Sequence, residues 1–191
     1  MKSFLEKYID DFTSLVISSQ EIVKELLLLK DFLVSASDNG NKSIIVGNGG
    51  SAAIASHFSV DLTKNAGIRC INFNESDLIT CFSNDYGYEH WLEKAVEMYG
   101  NKGDVLIGIS SSGTSKNILN ACRAAREMNF SEIITLSGMH ADNPLKKLGD
   151  INLWVNSNAY NHIENMHQFW LLAVVDLVIG KAEYSANQDE H

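Results

Sequence analysis

Short apolar runs alternate along the chain with longer segments in which apolar residues recur every three or four positions, and this alternation restricts the fold more than any other feature. Runs at 43–46, 69–73, 104–109, 132–136 and 151–155 predict strands, while segments 52–63, 76–82, 88–99, 116–128 and 160–180 predict helices. Strands separated by helices pair in parallel, because a helical crossover returns the chain to the same end of the sheet. The sequence therefore predicts an α/β fold, a doubly wound three-layer sandwich with a five-stranded parallel sheet.

The chain before the first strand is helical by the same criterion. Phe4, Tyr8 and Phe12 recur at four-residue steps in one run, and Leu26 and Leu29 belong to a second. Turn residues at 38–41 end the pair, so residues 1–37 are predicted to form an N-terminal helical hairpin. Residues 38–180 then form the α/β core and residues 181–191 a polar tail. No linker-like segment interrupts them, which predicts one domain over residues 1–191.

Charge and cysteine content exclude several classes of protein. The 191 residues include 15 Lys and Arg against 24 Asp and Glu, a net charge of −9, which argues against direct binding to nucleic acid or an anionic membrane. A charged N-terminus is not expected to be a signal peptide, and no apolar run approaches the roughly 18 residues of a membrane span. Cys70, Cys81 and Cys122 are odd in number and widely spaced, as expected for reduced thiols in a cytoplasmic protein.

Two loops rich in small residues follow the first and third strands. Gly47–Ser51 and Ser110–Ser115 each lead into a helix, at the end of the sheet where parallel α/β folds bind ligands. One such loop by itself is better explained as an ordinary tight turn with a helix cap, but two favour a site for a phosphate-type anion. A dinucleotide site is not indicated, because Ala52 replaces the third glycine of that motif and the strand at 69–73 lacks an acidic residue.

The strings Gly47–Ala52, His57-Phe58, Ser83–Tyr88 and Gly103–Ser110 together resemble the phosphoheptose isomerase family of SIS-domain proteins, over about residues 22–179. The resemblance implies the flavodoxin-like SIS fold, and a homotetramer with active sites at subunit contacts. It also implies interconversion of sedoheptulose 7-phosphate and an aldoheptose 7-phosphate. It assigns phosphate binding to Ser51, Ser110, Ser111, Ser112 and Ser115, and sugar binding to Asn48, Gly49, Asn84 and Asp85.

Aldose–ketose isomerisation through an enediol needs a base near the reacting carbons, an acid for the oxygens and, in some enzymes, a metal. The resemblance places these groups on two helices and implies catalytic roles for His57, Asp61 and Glu164, the same three residues that match the positions of zinc ligands. The family has Glu at position 61 and Gln at 164, and its closing-helix histidine is Leu172 here, which fits plain helix packing.

Three interpretations stay open at this point. The first, which we favour, is an isomerase with rearranged groups: Asp61 or Glu164 as base, His57 or His167 as acid, and His90 as a further candidate. The second is a catalytically silent phosphosugar-binding protein that acts as a tetrameric adaptor, like the replication-initiator-associating SIS proteins. The third is an isomerase for a different sugar phosphate.

Overall fold

The computed structural model describes residues 1–183, so residues 184–191 of the predicted tail lie outside the described part. The helices are α1 (Lys2–Ser18), α2 (Val23–Asp38), α3 (Gly50–Lys64), α4 (Ser76–Tyr86), α5 (Trp91–Tyr99), α6 (Lys116–Glu127) and α7 (Tyr160–Ile179). The strands are β1 (Ser43–Val46), β2 (Cys70–Ile71), β3 (Val105–Ser110), β4 (Glu132–Ser137) and β5 (Ile151–Trp154). Two 3₁₀ turns complete the order, at Ser19–Ile22 and Leu145–Lys147.

All five strands pair in parallel, in the order β2-β1-β3-β4-β5. Alternate strand residues point to opposite faces, and each face has its own apolar core. Leu29, Phe58 and Ile163 of α2, α3 and α7 fill one core, while Trp91 and Ile118 of α5 and α6 belong to the other. The three-layer parallel sandwich predicted from the sequence is confirmed. Its topology places the ends of β1 and β3 side by side, with Val46 opposite Gly108.

The N-terminal segment forms two helices, as predicted, but they do not form a compact hairpin. The 3₁₀ turn between them continues directly from α1 into α2, with right-handed helical backbone at both of its ends. Both helices pack mainly along α7, and α2 also contacts β5. The pair is held by burial against α7 rather than by a reversing loop, because Phe12 and Leu15 find their apolar partners there.

Two other boundaries differ from the predicted ones. The strand expected over 69–73 is reduced to Cys70–Ile71, because the side chains of Asn72 and Asn74 hydrogen-bond to α3 and draw the chain out of the sheet. The helix expected over 76–82 continues to Tyr86 and ends at Gly87, whose φ of +84° favours glycine. The segment 83–85 is therefore helical.

Cys70, Cys81 and Cys122 are free thiols, and burial raises the pKa of the Cys122 thiol to about 12. Within residues 1–183, no helix has the length and apolar character required to cross a membrane.

Candidate active site

The loop after β1 turns sharply into α3. Gly49 has a φ of +54°, which side chains other than glycine rarely adopt, and α3 begins at the next residue. No side chain caps this helix, and within the described residues the amides of Gly50 and Ser51 have no backbone acceptor. Those of Ala52 and Ala53, by contrast, donate to the Gly49 carbonyl. Ser51 is buried at the start of α3. The loop thus presents N–H groups and the positive end of a helix dipole, which suit an anion.

The loop after β3 is built from hydroxyl side chains. Ser110 Oγ donates to Ser115 Oγ at 3.0 Å, and the Ser112 and Thr114 hydroxyls lie 2.8 Å apart. The buried Ser111 hydroxyl has no hydrogen-bond partner among the described residues. Helix α6 also begins without a side-chain cap, directly after this loop. The second loop therefore offers a second uncapped helix start together with several hydroxyl groups.

A pair of asparagines joins the two loops. Asn48 Nδ2 donates to Asn117 Oδ1 at 2.9 Å, and Asn117 Nδ2 donates back to Asn48 Oδ1 at 2.8 Å. The Tyr88 hydroxyl donates to Asn48 Oδ1 at 3.1 Å. The two small-residue loops thus lie side by side, as their positions after neighbouring strands predicted. Asn117 and Tyr88 were not among the residues singled out from the sequence.

Glu164 reaches this site from α7. Its carboxylate lies against Gly50, so close that a Cβ on this glycine would be 2.6 Å from the carboxyl carbon of Glu164. Glu164 is half-buried. The structure therefore brings one of the predicted catalytic residues to the first turn of α3, where the helix dipole stabilises a carboxylate.

His57 and Asp61 lie one turn apart on α3, and His57 Nε2 is 3.2 Å from Asp61 Oδ2. Gln168 of α7 approaches the other ring nitrogen, with its Nε2 3.4 Å from His57 Nδ1. The His57 side chain keeps 48% of its surface exposed. If Gln168 donates to Nδ1, the tautomer that donates from Nε2 to Asp61 is favoured. Gln168 was also missed from the sequence, although it stands four residues after Glu164 on the same helix face.

These groups do not form a metal site. Among residues 1–183, no three or more His, Cys, Asp or Glu side chains are arranged to hold a metal ion. The ring nitrogens of His57 contact Asp61 and Gln168, and the carboxylate of Glu164 lies against Gly50. Leu172 has no atom that could bind a metal. The expected zinc site at His57, Asp61 and Glu164 is not confirmed, and we derive no step through a metal.

His167 and His90 lie outside this arrangement. His167 is fully buried, its Nε2 lies 3.1 Å from the Ser137 carbonyl oxygen, and burial lowers its pKa to about 4. It is therefore neutral near pH 7 and cannot donate a proton to a ligand from inside the core, so this candidate acid is wrong. His90 is exposed and pairs with Glu93 at 2.6 Å.

Asn84 and Asp85 are exposed on α4. Asn84 Nδ2 donates to Asp85 Oδ1 at 2.9 Å, and Asp85 Oδ2 lies 3.8 Å from Cys81 Sγ. Their segment approaches the loops through Tyr88, which contacts Asn48. Their assignment to sugar binding stays a prediction, because within the described chain their side chains hydrogen-bond only to each other and to Cys81.

The sequence matches known proteins over most of its length. The family model described as the SIS domain matches residues 7–138. The phosphoheptose isomerase of Helicobacter pylori strain P12 is 36% identical over 167 residues, 84% of each chain. That of Aliarcobacter butzleri is 41% identical over 140 residues, which cover 70% of this chain and 73% of the relative.

Solved structures show the same likeness. A phosphoheptose isomerase from Neisseria gonorrhoeae superimposes with a TM-score of 0.86 at 27% identity, covering 93% of this chain and 98% of that one. One from Francisella tularensis gives a TM-score of 0.87 at 27% identity, covering 95% and 99%. The fold and the paired loops define an SIS-domain protein. Within that class, the chain belongs to the phosphoheptose isomerase family.

Proposed function

We propose that this protein is an aldose–ketose isomerase that interconverts sedoheptulose 7-phosphate and an aldoheptose 7-phosphate through an enediol. The observation that carries the proposal is the Asn48–Asn117 pair, which holds two uncapped helix starts next to each other beside the Glu164 carboxylate. The family membership of the chain and the names of its relatives support the same reaction.

The phosphate group binds between the two loops. Its oxygens accept hydrogen bonds from the first amides of α3 and α6, and the dipoles of both helices stabilise the negative charge. The hydroxyl groups of five serines complete this site: Ser51, Ser110, Ser111, Ser112 and Ser115. The sugar then extends past Asn48 and Gly49 toward α7 and the exposed face of α3, with Asn84 and Asp85 on the side of α4.

We assign proton transfer to two side chains, Glu164 and His57. Glu164 removes the proton from C1 of the ketose and returns it to C2, because its carboxylate adjoins Gly50 while Asp61 is occupied by His57. His57 is half exposed, and its 3.4 Å contact with Gln168 is the longer of its two, so the substrate replaces Gln168 at Nδ1 while Asp61 holds Nε2. From Nδ1, His57 donates a proton to O2 and accepts one from O1, so the enediol forms and collapses with no net change in protons.

The same family membership supports a homotetramer, and the surface of α1 agrees with it. No residue of α1 is buried, and Phe4, Leu5, Ile9 and Ile17 are each more than half exposed. A contiguous apolar surface of this kind marks an interface in soluble proteins. We propose that further copies of the chain, each a single SIS domain over residues 1–191, cover it. The free cysteines support a cytoplasmic location.

The direct test is turnover of sedoheptulose 7-phosphate by the purified protein, measured with and without added divalent metal and beside a panel of other ketose phosphates. Conversion of the heptose phosphate that is abolished in the Glu164→Ala variant supports the proposal. If only another ketose phosphate is converted, the proposed substrate is wrong. If none of them is converted at high enzyme concentration, the proposed isomerase activity is wrong.

Leu172 favours one alternative, a binding protein without catalysis. This residue stands where the resemblance places a histidine, and it lines a groove of about 580 Å³ with Phe12, Val16 and Phe169. An adaptor would bind sedoheptulose 7-phosphate in calorimetry without converting it and would copurify with a defined protein partner. Turnover by the wild-type protein excludes this alternative.

A further inference from the structure

Asn117 is the second residue of α6 and is almost fully buried, with 3% of its surface exposed. A buried primary amide needs partners for both its oxygen and its nitrogen. Both partners come from one residue, Asn48, across distances of 2.9 and 2.8 Å. Asn48 lies in the loop after β1 and Asn117 in the first turn of α6, 69 positions apart in the chain. This reciprocal pair therefore fixes the side chain of Asn48 to the helix that follows the other loop.

All but one of the side-chain hydrogen-bonding positions of Asn48 have a partner within the described residues. Its Oδ1 accepts from Asn117 Nδ2 and from the Tyr88 hydroxyl, which fills both lone pairs of the oxygen. One hydrogen of its Nδ2 goes to Asn117 Oδ1. The second Nδ2 hydrogen has no partner within residues 1–183. Since Asn48 is half-buried beside the exposed Gly49, this N–H is the group that the network leaves for a ligand.

We propose that Asn117 is a positioning residue: it sets the amide of Asn48 so that one Nδ2–H donates to an oxygen of the bound sugar, either a hydroxyl or the enediolate oxygen. The identity of the ligand rests on the proposed function, whereas the orientation of Asn48 rests on the contacts of the protein itself. Without Asn117, the Asn48 amide is free to turn about its terminal torsion and to present its oxygen instead.

A double-mutant cycle tests the proposal through turnover. Asn117→Leu has a side chain of similar size and is expected to lower kcat/KM by about 10- to 100-fold, less than the loss of a donor itself costs, because the Asn48 amide remains but is no longer held. In an Asn48→Ala background the same substitution is expected to cost less than about 3-fold, because no amide remains to be positioned. An equal loss in both backgrounds would overturn the proposal, since Asn117 would then act independently of Asn48.

A second variant guards against misfolding of Asn117→Leu. When ionised, Asn117→Asp replaces the N–H that donates to Asn48 Oδ1 with a carboxylate oxygen. The two oxygens repel each other, so the Asn48 side chain is expected to turn and activity to fall while the protein remains folded. Asn120→Asp is the matched control, because it adds the same charge three residues further along α6, where Asn120 bonds to the Glu89 carbonyl instead. Equal activities of Asn117→Asp and Asn120→Asp would contradict the inference.

Crystal structures separate this inference from the proposed reaction. Should the wild-type protein convert no sugar phosphate, the proposed function fails, but the wild-type and Asn117→Asp structures still report the orientation of Asn48. A rotated Asn48 side chain in the variant supports positioning by Asn117. An Asn48 side chain that keeps its place and its contact with Tyr88 in the variant overturns it.

Discussion

The carboxylate of Glu164 on α7 faces the Cα of Gly50, the first residue of α3, and a Cβ at that position would lie 2.6 Å from the carboxyl carbon. The contact joins α7 to the start of the helix that follows the loop after β1. It also places a negative charge at a helix start that the proposed phosphate would share. Glu164 is therefore close enough to influence both ligand affinity and proton transfer, and these two effects can be separated by experiment.

Replacing Glu164 with glutamine should lower both kcat and KM, but kcat by far more. An amide cannot take the C1 proton, so kcat is expected to fall by about 100-fold or more. The amide also no longer repels the phosphate, so KM is expected to fall by about 3-fold. Steady-state kinetics with sedoheptulose 7-phosphate measure both values. Glu127→Gln, at the exposed end of α6, is the matched control, and a Glu164→Gln variant with full kcat would remove Glu164 from the mechanism.

Alanine at Gly47 and at Gly50 should have different consequences. A Cβ on Gly47 would lie 2.6 Å from the backbone carbonyl of Ser51, which cannot move away, so we expect a loss of about 2–3 kcal/mol in the free energy of unfolding. The three atoms nearest to a Cβ on Gly50 all belong to the carboxylate of Glu164, which can turn aside. Gly50→Ala should therefore keep its stability but lose about tenfold in kcat, because the proposed base is displaced.

Urea unfolding and turnover, measured on both variants, check this pair of expectations. The informative result is which of the two variants is less stable, since alanine by itself favours a helical position such as Gly50. A Gly50→Ala variant that is fully active would show that the place of Glu164 is unimportant. A Gly47→Ala variant as stable as the wild-type protein would mean that the loop after β1 can relax around a side chain.

Much of the site was predictable from the order of its elements. Loops that follow neighbouring parallel strands must meet at one edge of the sheet, and the pairing of β1 with β3 brings Gly47–Ser51 beside Ser110–Ser115. The pairing of His57 with Asp61 follows from their spacing of four residues on a helix. Such features depend only on chain order and helical period, which the sequence expresses directly.

The remaining features depend on how separate elements pack. Asn117 and Gln168 acquire their roles from contacts with residues 69 and 111 positions away, which no local pattern encodes. The extension of α4 over Asn84 and Asp85 is set by Gly87, which ends the helix further along than the apolar period suggested. The burial of His167 against Ser137 likewise depends on the packing of α7 onto β4.

The side chains at the site predict a weak affinity for zinc that one substitution should raise. Leu172 follows Gln168 by one turn, and Gln168 contacts His57, so Leu172→His adds an imidazole one turn beyond that contact. The purified Leu172→His variant is expected to retain about one zinc per chain, and the wild-type protein much less. Elemental analysis and calorimetric zinc titration measure the difference.

Leu177→His supplies the control for this change, because it adds a histidine to an exposed position of the same helix. It should behave as the wild-type protein does. Tight, stoichiometric zinc in the wild-type protein would contradict the expectation and would show that His57, Asp61 and Glu164 rearrange to bind the metal. Equal zinc contents of the two histidine variants would show that position 172 has no special relation to His57.

Buried His167 predicts that the protein loses stability in mild acid. Burial lowers the pKa of His167 from 6.5 to about 4, against a weaker opposing effect of its hydrogen bond to the Ser137 carbonyl. The unfolded chain therefore binds a proton at a higher pH than the folded one, and stability is lost as the pH falls from 6.5 toward 4. Between pH 6.5 and pH 5 this amounts to about 2 kcal/mol in the free energy of unfolding.

Urea denaturation of the wild-type protein and of His167→Gln at several pH values measures this contribution. The glutamine can still donate to the Ser137 carbonyl but does not titrate, so its stability curve should be flatter than that of the wild type by about 2 kcal/mol over this interval. His140→Gln is the control, because His140 is exposed. Parallel curves for the wild type and His167→Gln would mean that His167 is protonated in the folded protein, and its enclosure by α7 and β4 would then be wrong.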